Sequence, residues 1–273
     1  MRVLVSVDME GVAGVAAPED VTPGQPHYDR NCGYMTDEAS AAVRGVRAHD
    51  PEASVVVVDA HADFRNIVPD RLARGCTLLR GAPRPLSMLT GVDRDVDAVC
   101  FIGYHGRAGT AASVLAHTMS GATVARIRCN GEELGELGLN AALAVHYGAV
   151  PVLATGDDTL VREASSVVPG MATVEVKRAV GNRAAESLHP DEACARIEAA
   201  VQTALQHPSP SNGPPFSGSV DLEMDLLRPR MTEYAAMIPG VELRGPTTVG
   251  YQAADFPAAY NLIEVITTLA GSG

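Results

Sequence analysis

The chain has 273 residues, enough to bury a sizeable core in one large domain or two. Hydrophobic residues make up 46% and charged residues 20%, ordinary for a soluble globular protein, and no apolar run approaches the roughly 20 residues needed to span a bilayer. The net charge of -12 argues against a nucleic-acid backbone as partner, because that affinity rests on Lys and Arg neutralising phosphates.

In chain order, residues 2–7 (RVLVSV) form the first expected strand, which runs into Asp8-Met9-Glu10-Gly11. A Gly/Pro-rich loop follows to about Gly33, and Thr36 is expected to cap a helix that carries Asp37 and Glu38 in its first turn and ends near His49. Residues 54–58 (SVVVV) form a second strand that runs into Asp59-Ala60-His61, and residues 96–103 (VDAVCFIG) a third that runs into Tyr104-His105-Gly106. Residues 69–89 are mixed and receive no element. A small-residue loop with Arg107 leads to His117-Thr118-Met119. Residues 122–129 alternate like a strand, meet the hairpin-turn dipeptide Asn130-Gly131, and return over residues 132–134. Gly135 opens a helix over residues 136–147 that stops at Gly148. Residues 150–155 form another apolar strand that finishes on Gly156-Asp157-Asp158. Residues 207–218 (HPSPSNGPPFSG) read as a linker, followed by a strand over 219–226, a short helix, a β pair near 241–251 and a terminal helix from about Ala254.

This alternation predicts an α/β fold: a largely parallel sheet with flanking helices over residues 1–206, plus a smaller C-terminal α/β unit over residues 219–273. The five cysteines are odd in number and contain no C-x-x-C pair, which fits reduced thiols in a cytoplasm. Met1-Arg2 leads straight into the first strand, so no cleavable leader is expected.

Short, continuous apolar runs separated by helices read as buried parallel strands. Their carboxyl ends share one edge, where ligands bind. Asp8, Glu10, His61 and His105 therefore converge from distant parts of the chain. Asp8 and Glu10 are two apart, so an extended backbone points both to one side, and converging carboxylates repel unless a cation or proton lies between them. Asp59 is positioned to orient His61, Glu136 lies in the first turn of its helix, and Asn140 lies one turn on. For any of these residues alone, a solvated acid or a core-edge histidine is the plainer reading; the coincidence of three strand ends shifts the balance. Mixed His and carboxylate ligands suit Zn²⁺, Mn²⁺ or Co²⁺ better than Mg²⁺ or Ca²⁺, and so many ligands around one bridging carboxylate suit a two-metal hydrolytic site.

Other templates fail. There is no G-x-x-x-x-G-K-[ST], no G-x-G-x-x-G after a strand and no G-x-S-x-G elbow. Asp8-Met9-Glu10 approaches the D-x-D of aspartyl phosphatases, but that chemistry uses all-oxygen shells and leaves His61 and His105 without a role.

The motifs Ser6-Val7-Asp8-Met9-Glu10-Gly11, Gly103-Tyr104-His105, Gly135-Glu136-Leu137-Gly138-Leu139-Asn140, His117 with Met119, and Gly156-Asp157-Asp158 resemble those of the M55 family of zinc D-aminopeptidases, the dipeptide-operon type. The resemblance runs from Met1 to about Asp158 and thins beyond. It implies that Asp8 bridges two zinc ions, that Glu10 and His61 complete one and His105 and Glu136 the other, and that His117 is the catalytic histidine. It also implies a homo-oligomer, a ring-like decamer, acting on short peptides; the charge and the absence of a long apolar run add the expectation of no nucleic-acid or membrane partner. The chain departs from the family pattern at Ala60, Gly106 and Thr118, none a ligand position. The reading is thus a binuclear metallo-aminopeptidase that removes a small D-amino acid. The alternatives are a metal-dependent amidohydrolase on another amide and a non-catalytic metal-binding assembly protein.

Overall fold

The computed structural model describes residues 1–208 and 216–272. Of the expected linker, positions 209–215 lie outside the described residues. The elements run β1 (Arg2–Val7), α1 (Pro18–Val21), α2 (Tyr28–His49), β2 (Ser54–Asp59), β3 (Cys76–Leu79), β4 (Ala98–Ile102), β5 (Val124–Cys129), β6 (Glu132–Glu133) and α3 (Glu136–His146). They continue β7 (Val150–Asp157), α4 (Asp158–Val167), β8 (Ala172–Gly181), β9 (Ala184–Ser187) and α5 (Pro190–Gln206). The last part holds β10 (Val220–Leu226), α6 (Pro229–Ala235), β11 (Glu242–Leu243), β12 (Thr248–Ala253) and α7 (Phe256–Gly271).

The α/β class and its largely parallel sheet are as the sequence predicts. The main sheet has the order β3-β2-β1-β4-β7-β8-β9, parallel throughout except for β9. Its β-branched runs bury both faces, which is why they read as continuous apolar stretches. Val3, Val5 and Val7 pack toward α2 and α5, whereas Leu4, Val56 and Val58 join the cluster that includes α3, α7 and the second sheet. Each such side chain contributes roughly 1.5–3 kcal/mol by leaving water. The second sheet is antiparallel, β11-β12-β10-β5-β6, so the strands after the linker region pair with the 124–133 hairpin. Asn130 and Gly131 turn that hairpin with φ of 51° and 81°.

From β1 the chain goes outward one way through β2 and β3, then returns to β4 on the other side of β1 and continues through β7. This reversal of strand order opens a crevice at the carboxyl ends of β1 and β4. Val7 is in register with both Asp59 and Ile102, so Asp8 emerges between the ends of β2 and β4. The backbones there approach closely: the Gly11 amide donates to the Gly103 carbonyl at 2.7 Å, and a Cβ on Gly11 would meet the Tyr104 carbonyl oxygen at 1.9 Å. Only glycine fits.

Several boundaries move. The helix expected from Thr36 begins at Tyr28, and Thr36 lies inside it. Its hydroxyl donates to the Cys32 carbonyl at 2.6 Å and accepts from the Val68 amide at 3.0 Å. A threonine that bonds back four residues satisfies itself within a helix, so its capping propensity is not used. The glycine-rich segment before it holds the short α1. Residues 69–89 contribute β3 and a 3₁₀ turn over Ser87–Leu89. The segment between Asp158 and the linker, unassigned from sequence, supplies α4, β8, β9 and α5.

Candidate metal centre

Asp8 and Glu10 follow β1, His61 follows β2, His105 follows β4, and Glu136 is the first residue of α3. All five are at most 7% exposed. They meet with His117 in one cluster. His61 Nδ1 lies 3.3 Å from Asp8 Oδ1 and 2.9 Å from Glu10 Oε2. His105 Nε2 lies 3.4 Å from Asp8 Oδ2 and 3.5 Å from Glu136 Oε2. His117 Nε2 lies 3.6 Å from Glu136 Oε1, and its ring stacks on that of His105 at 4.2 Å. Asp8 thus faces both buried histidines, one with each oxygen.

Each histidine uses its other ring nitrogen on a backbone carbonyl: His61 Nε2 to Val21 at 3.0 Å, His105 Nδ1 to Gly106 at 3.0 Å, and His117 Nδ1 to Leu115 at 2.9 Å. That bond sets the ring and leaves the second nitrogen available toward the carboxylates, as metal-ligating histidines require. The donor set fits a transition metal on a second count. Asp8 Oδ2, Glu10 Oε2 and His105 Nε2 are buried, and among the described residues no hydrogen bond of good geometry reaches them, only the charged groups of the cluster itself. Buried polar atoms without partners are costly, and cations bound among them would remove that cost. Among the described residues, two groupings have ligand atoms close enough for an ion: Asp8, Glu10 and His105, and His105, His117 and Glu136.

Burial, then the neighbouring Glu10, pushes the Asp8 carboxyl up to about 8. Burial works against ionisation of Glu10 as well, but His61 and His117 outweigh it and hold Glu10 well below its usual value. For His61 burial favours the neutral ring, yet Glu10 and Asp8 raise it well above 6.5; for His105, Glu136 and Asp8 do the same. The metal-free cluster therefore holds protons on both histidines and largely on Asp8 at pH 7, and a cation must displace them. Since these affinities for protons are raised, metal affinity is expected to rise with pH through neutrality and to keep rising as Asp8 and the two histidines lose their protons, which are released on loading. Calorimetric zinc titration in buffers of different ionisation enthalpy measures that release; a pH-independent affinity with no proton release would contradict the protonated cluster.

Asp59 does not orient His61. Its carboxylate accepts from the Asn66 and Ile67 amides at 2.6 and 2.7 Å and shapes the loop after β2, while Asn66 Nδ2 holds the His61 carbonyl. Asp157 and Asp158 also point elsewhere. Asp157 caps α4 and accepts from the Val114 amide at 2.9 Å, and Asp158 pairs with Arg162 and the Ala179 amide. Asn140 sits beneath the cluster: it donates to the Tyr104 hydroxyl at 2.9 Å and accepts from the Tyr260 hydroxyl at 2.5 Å, while Ser6 Oγ is 2.8 Å from the same Tyr104 oxygen. This explains why Ser6, Tyr104 and Asn140 accompany the charged residues in the motifs.

Sequence reasoning missed Lys177. Fully buried in β8, its ammonium donates to the carbonyls of Glu10, Val12 and Val15 at 2.5, 2.9 and 2.7 Å, and Glu38 accepts from the Ala13 amide at 2.8 Å. These bonds fasten the loop that carries Glu10. Alternation in β8 gives no sign of an inward lysine, and the backbone carbonyls around it together with the charge of Glu38 make the burial tolerable.

The cluster opens into a cavity of about 520 Å³ whose walls include Phe64, Met88, Met119 and Glu264. Phe64, Ser87 and Met119 line it with φ of 58°, 39° and 62°, strained values for side chains of this kind that neighbouring packing must maintain. Met119 shows how: its amide donates to Glu136 Oε1 at 2.6 Å.

A doubly wound sheet with buried histidines and carboxylates gathered at the switch in strand order is the architecture of a metallohydrolase. The comparisons agree and are more specific. Residues 1–265 match the model of the peptidase M55 family, described as D-aminopeptidase, and the chain belongs to that family. It is 32% identical to a D-aminopeptidase of Bacillus subtilis (strain 168) over 99% of this chain and 98% of the relative. The solved structure of the Zn-dependent D-aminopeptidase DppA from Bacillus subtilis, described as a self-compartmentalizing protease, superposes with a TM-score of 0.94 at 32% identity, covering 99% and 98% of the two chains. The chain is a metallo-aminopeptidase by family.

Proposed function

We propose that this chain is a binuclear metal-dependent aminopeptidase that removes an N-terminal residue, a small D-amino acid, from short peptides. The observation that carries the reading is the orientation of three histidines, each spending one nitrogen on a carbonyl and turning the other to a carboxylate of the same buried cluster. Asp8 would serve two ions, Glu10 and His61 one of them, and His105 and Glu136 the other; the two-sided approach of Asp8 to both histidines supports this division. Zinc is the metal favoured by the relative, and Mn²⁺ or Co²⁺ suit the same donors. Bound ions of this type supply Lewis acidity toward a scissile carbonyl. His117 is more exposed than the other cluster histidines, its side chain 22% accessible, and lines the cavity, so it is the group available to give a proton to the departing amine or to the developing oxyanion.

The relative's self-compartmentalizing description supports a homo-oligomer, for which we retain the ring-like decamer. Val180 and Met237, 70% and 71% exposed, are apolar side chains that such contacts would cover. No helix among the described residues is long and apolar enough to cross a membrane, and all five cysteines are free, which supports a reducing compartment such as the cytoplasm.

The deciding measurement pairs metal analysis with activity. We expect about two transition-metal ions per chain, cleavage of D-Ala dipeptides and D-Ala anilides in preference to their L counterparts, and loss of activity on chelation. Active, freshly purified protein devoid of metal would remove the metal centre; activity confined to L-peptides would remove the stereochemical assignment.

A further inference from the structure

Helix α7 reaches the metal centre from the far end of the sequence through one face. Tyr260 donates to Asn140, Asn261 accepts from the Leu86 amide at 3.0 Å, and Glu264, one turn after Tyr260, accepts from the Ser87 hydroxyl at 3.1 Å. Ser87 is itself fixed, 2% exposed, with its carbonyl accepting from Arg84 Nε at 2.9 Å. These bonds hold the Glu264 carboxylate in the wall of the cavity that also contains Asp8, Glu10 and Glu136.

The three other carboxylates lining that cavity belong to the histidine cluster, and cations bound there would consume their charge. Glu264 stands apart from them. Ser87 occupies one of its oxygens, Arg84 is a neighbouring charge that does not hydrogen-bond it, and the other oxygen makes no hydrogen bond to protein among the described residues. We propose that Glu264 binds the free α-ammonium of the peptide substrate and thereby restricts the enzyme to unblocked N-termini; this rests on the aminopeptidase reading above.

The chemistry follows from desolvation. An ammonium entering a partly enclosed cavity gives up water and needs an acceptor, best an anion. At a metal-loaded cluster it would first have to give up its proton and bind as a neutral amine, because bound cations would repel the ammonium. Glu264 supplies that acceptor at a position set by rigid neighbours, so little side-chain freedom is lost on binding. An N-acylated peptide brings a neutral amide in place of the cation and leaves the carboxylate desolvated without its ion partner. Selection for a free amine is then a matter of an unpaired charge, which discriminates more strongly than shape alone.

The test compares zinc-loaded wild type with Glu264→Gln, whose amide oxygen can still accept the Ser87 hydroxyl bond. Substrates are D-alanyl dipeptides and their N-acetyl forms. Binding of D-alaninol, a free amine with no scissile bond, is followed separately by calorimetry. Loss of a hydrogen bond to a charged group predicts a fall of about 10- to 100-fold in kcat/KM on the free-amine peptide, carried by KM, and an equal weakening of D-alaninol binding. Metal content and Tm should match wild type, and the ratio of free-amine to N-acetyl turnover should shrink. Unchanged KM and unchanged D-alaninol affinity would overturn the assignment, as would a loss explained wholly by lower metal content or Tm. A wild type that cleaves no free-amine peptide removes the aminopeptidase reading and this inference with it. A wild type that does so, matched by Glu264→Gln, removes the inference alone.

Discussion

Replacing His117 with Ala is expected to lower kcat and kcat/KM together by about 10²–10⁴-fold while both metal ions and the Tm are retained. The expectation rests on how this histidine differs from its neighbours. Its ring stacks on His105 and faces Glu136, but it lines the cavity and is more accessible than His61 or His105. The five proposed ligands account for two ions without it. A group that acts only as charge develops in the transition state leaves ground-state binding unaltered, so KM should move little. Steady-state kinetics with elemental analysis of the same sample makes the distinction. Loss of one ion in step with activity would make His117 a ligand, an outcome its grouping with His105 and Glu136 makes worth measuring. Near-normal kcat would leave it a cavity wall.

Asp8→Ala should have the widest effect on metal binding. Its two oxygens approach different histidines, 3.3 Å from His61 and 3.4 Å from His105, so its removal strips both proposed ions of a shared ligand. Mutating an outer partner of a metal ligand already costs about 10–100-fold in affinity, and loss of a bridging ligand should exceed about 100-fold at both positions. His61→Ala and His105→Ala should each cost one ion. Competitive zinc titration against a chromophoric chelator reads all three. If Asp8→Ala kept two ions and full activity, the bridging assignment would be wrong; if it lost only one, Asp8 would belong to a single ion.

Much of this arrangement was legible because buried parallel strands write themselves as apolar runs. The ends of β1, β2 and β4 are marked by the first polar residues after such runs, and a parallel sheet necessarily aligns those ends. Glu136 and Asn140 were legible as one face of α3, and the Asn130-Gly131 turn as a hairpin. The failures have physical causes. Thr36 has the residue type of a cap, but its hydroxyl is satisfied within the helix by Cys32. Asp59 sits two residues before His61, yet the loop amides of Asn66 and Ile67 take up its carboxylate first. Lys177 and Glu264 act through contacts with segments far away in sequence, and no local pattern encodes a partner of that kind.

The bond from Lys177 to the Glu10 carbonyl spans 167 residues, and its consequence concerns the order in which the molecule comes together. The loop carrying Glu10 is among the first parts of the chain to be synthesised, but its anchor becomes available only when β8 docks beyond β7. Tyr260, which bonds Asn140 beneath the cluster, comes later still. Closing such long loops is entropically costly and slow, so contacts of this span form late on the way to the native state. Asp8 and Glu10 therefore spend the early part of folding as acids on an unfastened segment, with His61 and His105 not yet brought to their carboxylates. A metal meeting the nascent chain finds scattered ligands rather than a chelate. Cation capture belongs to the end of folding, and it stabilises a nearly finished architecture instead of seeding it.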